Sequence, residues 1–181
     1  MKTNQVRIIG GQWRSRIVRF PDAQSLRPTP DRLRETLFNW LGQDLTGKTC
    51  LDLFAGSGAL GFEAASRGAR QVVMVEQNAV VYRALRETQT MLAAGQVEIV
   101  RADAFGFLKT DVRRYDVIFL DPPFQLGWLP RLLLLLPVRL APGARVYLEA
   151  EGPVTLPDGV ELLKQTRAGQ VHGLLIKWQQ S

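Results

Sequence analysis

The sequence has a single cysteine, Cys50, and a single histidine, His172. One cysteine excludes an intramolecular disulfide, and the opening stretch MKTNQVRIIG lacks the apolar core of a secretory signal, so a cytoplasmic protein is expected. Long apolar runs are also missing. The longest, Leu132 to Leu136, is a fraction of the ~20 residues that span a bilayer and is flanked by Arg131 and Pro137. It reads as a buried helix face, and no membrane partner is expected. There is no low-complexity tract, no internal repeat and no linker dividing the body. A chain of 181 residues, 46% of them hydrophobic, can bury one substantial core but is short for two.

The charge that is present is unevenly placed. Residues 1–34 hold eight Lys or Arg against two acids, Asp22 and Asp31, which is the whole net charge of +6; the remaining residues balance at fifteen of each sign. A basic extension on a neutral body is the electrostatic footprint of a polyanion binder. Arg7, Arg14 and Arg16, with Trp13 beside them, are the candidate nucleic-acid contacts. A solvated basic surface without a partner is the plain alternative.

Val6 to Phe20 places Gly10-Gly11 between two β-prone stretches, Arg7 to Ile9 and Arg16 to Phe20, which predicts a hairpin. Thr29 and Pro30 read as the N-cap and first residue of a helix carrying Leu33, Leu37, Trp40 and Leu41 on one face. Four apolar strands then alternate with helices: Thr49 to Ala55, Gln71 to Glu76, Val97 to Ala102 and Tyr115 to Leu120. Strands without polar alternation are buried on both faces, which implies a parallel sheet covered by helices. A fifth strand, Arg145 to Ala150, follows the turn Ala141-Pro142-Gly143, and Val160 to Thr166 with Val171 to Trp178 predicts a closing antiparallel hairpin. Residues 1–26 are taken as a basic hairpin extension and 27–181 as the main domain.

Leu51-Asp52-Leu53-Phe54-Ala55-Gly56-Ser57-Gly58-Ala59-Leu60-Gly61 runs from a buried strand through a glycine-rich turn into a helix. The spacing also satisfies a dinucleotide-binding fingerprint, with Glu76 ending the next strand. Asp52 argues against that reading. A buried acid before the loop would repel a pyrophosphate, whereas S-adenosylmethionine has no phosphate and carries an ammonium and a sulfonium. Glu76 can accept from both ribose hydroxyls, and Asp103, ending the third strand, from an adenine amine, unless it merely caps the following helix.

Asp121-Pro122-Pro123-Phe124 follows the fourth strand and should face the same crevice, since ligands bind open α/β sheets beyond the carboxyl ends of the strands. Two prolines remove two N–H donors and leave carbonyls and a carboxylate as acceptors. Such a site receives an NH₂ group, and Phe124 offers a flat face on which a base can stack.

These two motifs resemble those of Rossmann-like methyltransferases of exocyclic amines. Together with Arg7-Ile8-Ile9-Gly10-Gly11, the stretch from Arg27 to Trp40 and Gly169-Gln170-Val171, they are similar to the RsmD family of 16S ribosomal RNA guanine-N2 methyltransferases, and the resemblance covers nearly the whole chain. It implies an α/β fold with a mostly parallel seven-stranded sheet, an antiparallel last strand and an N-terminal hairpin extension. It further implies 16S rRNA in small-subunit particles as substrate, with Asp121, Pro122 and Phe124 holding the base. Asp52, Phe54, Gly56, Gly58, Glu76, Asp103 and Ala104 would line the S-adenosylmethionine site. Neither a metal nor a second subunit is expected, and His172 is given no role.

Other functions remain open at this point. A DNA adenine-N6 methyltransferase would use the same tetrapeptide, but little chain is left for target recognition. A cytosine-C5 enzyme needs a cysteine near the crevice, and Cys50 sits at the wrong end of its strand. A nicotinamide-dependent oxidoreductase and a non-catalytic ribosome-assembly factor complete the alternatives.

Overall fold

The chain places three helices and a hairpin on one face of a sheet and two helices on the other. In the computed structural model, which describes residues 3–22 and 28–179, the elements in order are β1 (Thr3–Arg7), β2 (Ile17–Pro21), α1 (Asp31–Trp40), β3 (Thr49–Asp52), α2 (Ala59–Ser66), β4 (Gln71–Val75) and α3 (Ala79–Met91). They continue with β5 (Val97–Val100), α4 (Ala104–Thr110), β6 (Tyr115–Leu120), α5 (Leu129–Leu135), β7 (Leu140–Glu151), β8 (Val160–Ala168) and β9 (Val171–Trp178). The main sheet has the order β5-β4-β3-β6-β7-β9-β8, with β9 alone reversed. This is the Rossmann-like arrangement expected. The boundary expected between residues 26 and 27 lies outside the described residues.

Strand alternation sorts the side chains into two cores. Cys50, Val72, Met74, Val117, Phe119 and Tyr147 pack with α1, α2, α3 and the hairpin. Leu51, Val73, Val75, Ile118, Leu120, Val146 and Leu148 pack with α4 and α5. Both faces of β3, β4 and β6 are therefore dry, which is why their sequences carry no polar alternation. The chain runs β3, β4, β5 in one direction and then returns to lay β6 on the other side of β3. The switch point falls between the ends of β3 and β6.

Four expectations are corrected. Helix α1 begins at Asp31 with Pro30 as its N-cap and no side-chain cap, because Thr29 is buried with its hydroxyl on Glu149. Gly10-Gly11 is not the hairpin's turn. The chain turns later, with Ser15 at φ 70° and Ile8 N–H donating to the Arg16 carbonyl at 2.9 Å, while Gly11 lies against α2. A Cβ on Gly11, at φ 75°, would meet the Ser66 carbonyl oxygen at 1.8 Å, so only glycine allows this approach. Strand β7 starts at Leu140, earlier than expected, because the Ala141-Pro142-Gly143 turn is absorbed as a bulge opposite Tyr115–Val117. Trp13 is 9% exposed and belongs to the first core cluster, so its ring is not free to stack on a base.

The hairpin is held by one buried carboxylate. Glu63, in the middle of α2 and fully buried, accepts the Ile9 and Gly10 amides at 2.8 Å each, Arg67 Nε at 2.9 Å and Arg34 Nη1 at 3.3 Å. Arg34 is buried too, and its other donors reach Asp31, the Arg7 carbonyl and the Thr29 carbonyl. One of the eight N-terminal basic residues is thereby internal rather than part of a surface. The side-chain hydroxyl of Ser66, one turn on, donates to the Gly10 carbonyl at 2.6 Å and accepts from Trp13 N at 2.9 Å. Breaking one partner out of a buried ion network leaves an uncompensated charge, at a cost of about 3–5 kcal/mol. Glu63→Ala should lower stability by that amount in denaturant unfolding and should speed hydrogen exchange of the Ile9 and Gly10 amides. Unchanged exchange at those amides would show that Glu63 does not hold the hairpin.

Candidate functional site

The loop after β3 is shaped by its glycines and tied to β4 by a carboxylate. Gly58, at φ 79°, is the N-cap of α2, and a Cβ there would sit 2.6 Å from Phe62 Cδ2 and 2.8 Å from Leu85 Cδ2. Any side chain would push the loop off its helix. Gly56 N–H donates to Glu76 Oε2 at 3.1 Å, and Asn78 N–H donates to Oε1 at 2.7 Å. Glu76 is thus fixed at the end of β4, as the sequence spacing predicted.

Asp52 ends β3 and is 2% exposed. Its carboxylate accepts the Gly61 amide at 2.9 Å and the Phe54 amide, and no cation pairs with it among the described residues. Burial pushes its pKa up to about 7; the Gly61 amide offsets this in part, and the nearby charges of Glu76 and Glu149 add to the rise. A group so poised favours a cation brought next to it.

Asp103 caps α4, accepting the Gly106 amide at 2.8 Å through Oδ1, and Ala104 is the buried first residue of that helix. The capping alternative is therefore realised in the structure. Three half-buried rings gather at the same ends of the strands: Trp128 lies 6.2 Å from Phe54 and 5.5 Å, edge-on, from Phe105, with the Arg131 guanidinium 4.6 Å over Phe105. Phe105 and Trp128 were not singled out in the sequence, though Phe105 directly follows Asp103-Ala104 and Trp128 lies four residues after Phe124 of the Asp121 tetrapeptide.

Asp121 follows β6 at the switch point, Pro122 is buried behind it, and Phe124 is half-buried at the start of a 3-10 turn, Phe124–Leu126. Desolvation, then the charges of Glu149 and Asp52, hold the Asp121 carboxyl well above the usual carboxylate range. Its ordinary pKa of about 3.9 is thus a poor guide to its state here. Glu149 on β7 was also missed: it is 3% exposed and accepts the Tyr147 hydroxyl at 3.0 Å and the Thr29 hydroxyl. Its signal was present as the one acid inside the otherwise apolar run Val146 to Ala150.

Arg7, Arg14 and Arg16 are exposed on the hairpin, and none forms an ion pair among the described residues. His172 opposes Ala150 and Arg167 within the sheet. No helix among the described residues is long and apolar enough to cross a membrane.

The family described as Conserved hypothetical protein 95 matches residues 6–177. The chain is 43% identical over 174 residues to ribosomal RNA small subunit methyltransferase D of Escherichia coli strain K12, spanning 93% of this chain and 88% of that protein. The chain belongs to this methyltransferase family. The protein of the same name from Haemophilus influenzae is 41% identical over 175 residues, spanning 92% and 91%. The solved structure of Escherichia coli yhhF, described as a candidate methyltransferase, matches with a TM-score of 0.90 at 41% identity over 98% of this chain and all of that one. Family membership carries the Rossmann-like methyltransferase fold and S-adenosylmethionine as cofactor. The dinucleotide reading of the glycine loop is set aside.

The raised pKa of Asp52 has a consequence for stability. Because the folded value of about 7 exceeds the unfolded 3.8, the folded protein prefers the protonated acid, and that contribution is lost as pH rises from about 4 to 7. Asp52→Asn removes the buried charge while keeping an acceptor for the Gly61 amide. Without cofactor, the variant should gain stability relative to wild type by a few kcal/mol between pH 5 and pH 8, at about 1.4 kcal/mol per pKa unit. Equal stability at both pH values in thermal or denaturant unfolding would contradict the burial argument.

Proposed function

We propose that the chain transfers a methyl group from S-adenosylmethionine to the exocyclic N2 amine of a guanine in 16S ribosomal RNA, as a cytoplasmic monomer acting on the small-subunit particle. The observation that carries this reading is the position of Asp121-Pro122-Pro123-Phe124 at the switch point, one strand away from the glycine loop. The names of the relatives in Escherichia coli and Haemophilus influenzae support the substrate class.

The residues fit the cofactor. Asp52 is a buried acid suited to a cationic amino-acid portion, the glycine loop allows close backbone approach, and Glu76, held by the Gly56 and Asn78 amides, offers carboxylate oxygens to ribose hydroxyls. Phe54, Gly56, Gly58 and Ala104 shape the walls, and the Asp103 oxygen not used in the cap is available to an adenine amine. When bound, the cofactor supplies an electrophilic methyl group on a sulfonium.

A guanine N2 lone pair is delocalised into the ring, so the amine is a poor nucleophile until held in line with that methyl group, and positioning is a main part of catalysis. The Asp121 carboxylate and the Pro122 carbonyl can accept the two amine hydrogens. That arrangement favours a pyramidal nitrogen and stabilises its developing positive charge. Phe124 supplies a stacking face. Asp121, with its raised pKa, is also a competent acceptor for the proton released after transfer. A base inside a duplex would first have to leave the stack.

Asp121→Ala should lower the single-turnover rate on small-subunit particles by about 100-fold or more, as loss of a charge-stabilising group typically does, with the cofactor dissociation constant almost unchanged. A matching loss of cofactor affinity would refute the role. Labelled cofactor with particles, naked 16S rRNA or DNA, followed by nucleoside analysis, separates guanine-N2 from adenine-N6 transfer.

The exposed hairpin arginines are the proposed RNA-docking residues. Replacing Arg7, Arg14 and Arg16 by Ala should weaken RNA binding and reduce the slope of log affinity against log salt by roughly 0.7–0.9 for each phosphate that an arginine no longer neutralises. An unchanged dissociation constant and slope would make these arginines solvated decoration.

A further inference from the structure

The family motifs account for Asp121 but leave Glu149 without a task. In the parallel pairing of β6 with β7, Phe119 lies opposite Tyr147 and Leu120 opposite Leu148, so continuing that register sets Asp121, just past the end of β6, beside Glu149, which lies within β7. Phe119 and Tyr147 belong to the core cluster on the α1 and α2 face. Two residues further along each strand, Asp121 and Glu149 share that face.

We propose that Glu149 is a positioning residue for methyl transfer: with Asp121 it forms one carboxyl pair, and it thereby sets whether Asp121 meets the amine as a carboxylate or as an acid. This rests on the reading of Asp121 as the acceptor of the target amine.

The surroundings of the pair carry the argument. Asp52 faces it from β3, adding a third acid, with Glu76 behind Asp52 on β4. Tyr147 on β7 and Thr29, just before α1, both donate hydroxyl hydrogens to Glu149. Arg34 on α1 is committed to Asp31 and Glu63. On β9, His172 opposes Ala150 and so lies on the other face of the sheet, as does its neighbour across the ladder, Arg167. No cation pairs with either carboxyl among the described residues.

Two neighbouring carboxyls in a desolvated site do not both ionise readily, and they titrate as a pair. The hydroxyls decide where the remaining proton sits. Burial raises the proton affinity of both; hydroxyl hydrogen bonds offset this in part at Glu149, whereas Asp121 accepts no hydrogen bond among the described residues and is the first to take a proton. The Tyr147 hydrogen bond is built into the sheet: β9 has Gly173 opposite Glu149, and a Cβ there would stand 2.8 Å from the Tyr147 hydroxyl.

The pair then works as a proton relay of one step. The N–H donors of an entering amine bind an ionised Asp121 more strongly than a protonated one, so amine binding favours release of the proton from Asp121 to solvent. As the N–C bond forms and the S–C bond breaks, nitrogen becomes cationic and sheds one proton to Asp121.

The test is the pH profile of single-turnover methyl transfer on small-subunit particles at saturating S-adenosylmethionine, between about pH 5 and 9. Wild type should lose activity on the acid side as the pair gains its first proton, which Asp121 takes beside the charged Glu149. Glu149→Gln removes the like charge, so its acid limb should move down by about one pH unit or more. Tyr147→Phe, which removes one support of the Glu149 charge, should move it the same way by less. A structural Glu149 would lower the rate equally at every pH; an unmoved limb in Glu149→Gln overturns the proposal. Should Glu149→Gln fail to melt cooperatively, an unmoved limb in Tyr147→Phe overturns it alone. Asp121→Asn separates the two readings, because activity retained there refutes the role of Asp121 itself, whereas inactivity with an unmoved Glu149→Gln limb refutes only the pair.

Discussion

Parallel strands buried on both faces leave a protein only the strand ends for chemistry. The apolar side chains of β3, β4 and β6 go into one of two dry cores, so polar groups gather toward the strand ends. The unpaired acids do so on one side. Asp52, Glu76, Asp103 and Asp121 all stand at carboxyl ends, and the return of the chain from β5 to β6 opens the crevice between two of them. Burial, and then the crowding of acids at one edge, raises the proton affinity of Asp52 and Asp121, and the cationic cofactor is the natural relief of that crowding.

A second charge cluster has the opposite character. Around Glu63 every donor has an acceptor: two backbone amides and two guanidiniums meet one carboxylate, and Arg34 carries the surplus to Asp31 and two carbonyls. This cluster is satisfied and serves to hold, whereas the crevice acids lack cations and are open to partners. The contrast separates structural from functional burial of charge more clearly than either burial or charge alone.

Much of the crevice was legible because its residues sit in motifs with local causes. A glycine loop after an apolar strand, and an acid followed by two prolines, each announce a turn at a strand end, and β6 and β9 were bounded as the pattern predicted. What escaped depended on distant neighbours. Nothing local in Gly10-Gly11 says that it will press against Ser66 rather than turn a hairpin, nor that Trp13 will be core. Thr29 reads as a helix cap until Glu149, on a strand formed much later in the chain, takes its hydroxyl. Arg34 counted as surface charge for the same reason.

The long reach of the Glu63 hydrogen bonds bears on how the chain is made. Ile9 and Gly10 are synthesised early, yet the carboxylate that receives their amides lies 54 and 53 residues downstream. Until α2 has left the ribosome, the first segment has no surface on which to dock, and Arg34 has no buried counter-ion. Closing such a separation is slow compared with forming a local turn. The basic arm therefore emerges before the surface that docks it and settles only after that surface forms, a nascent polycation that waits for its own scaffold to be translated.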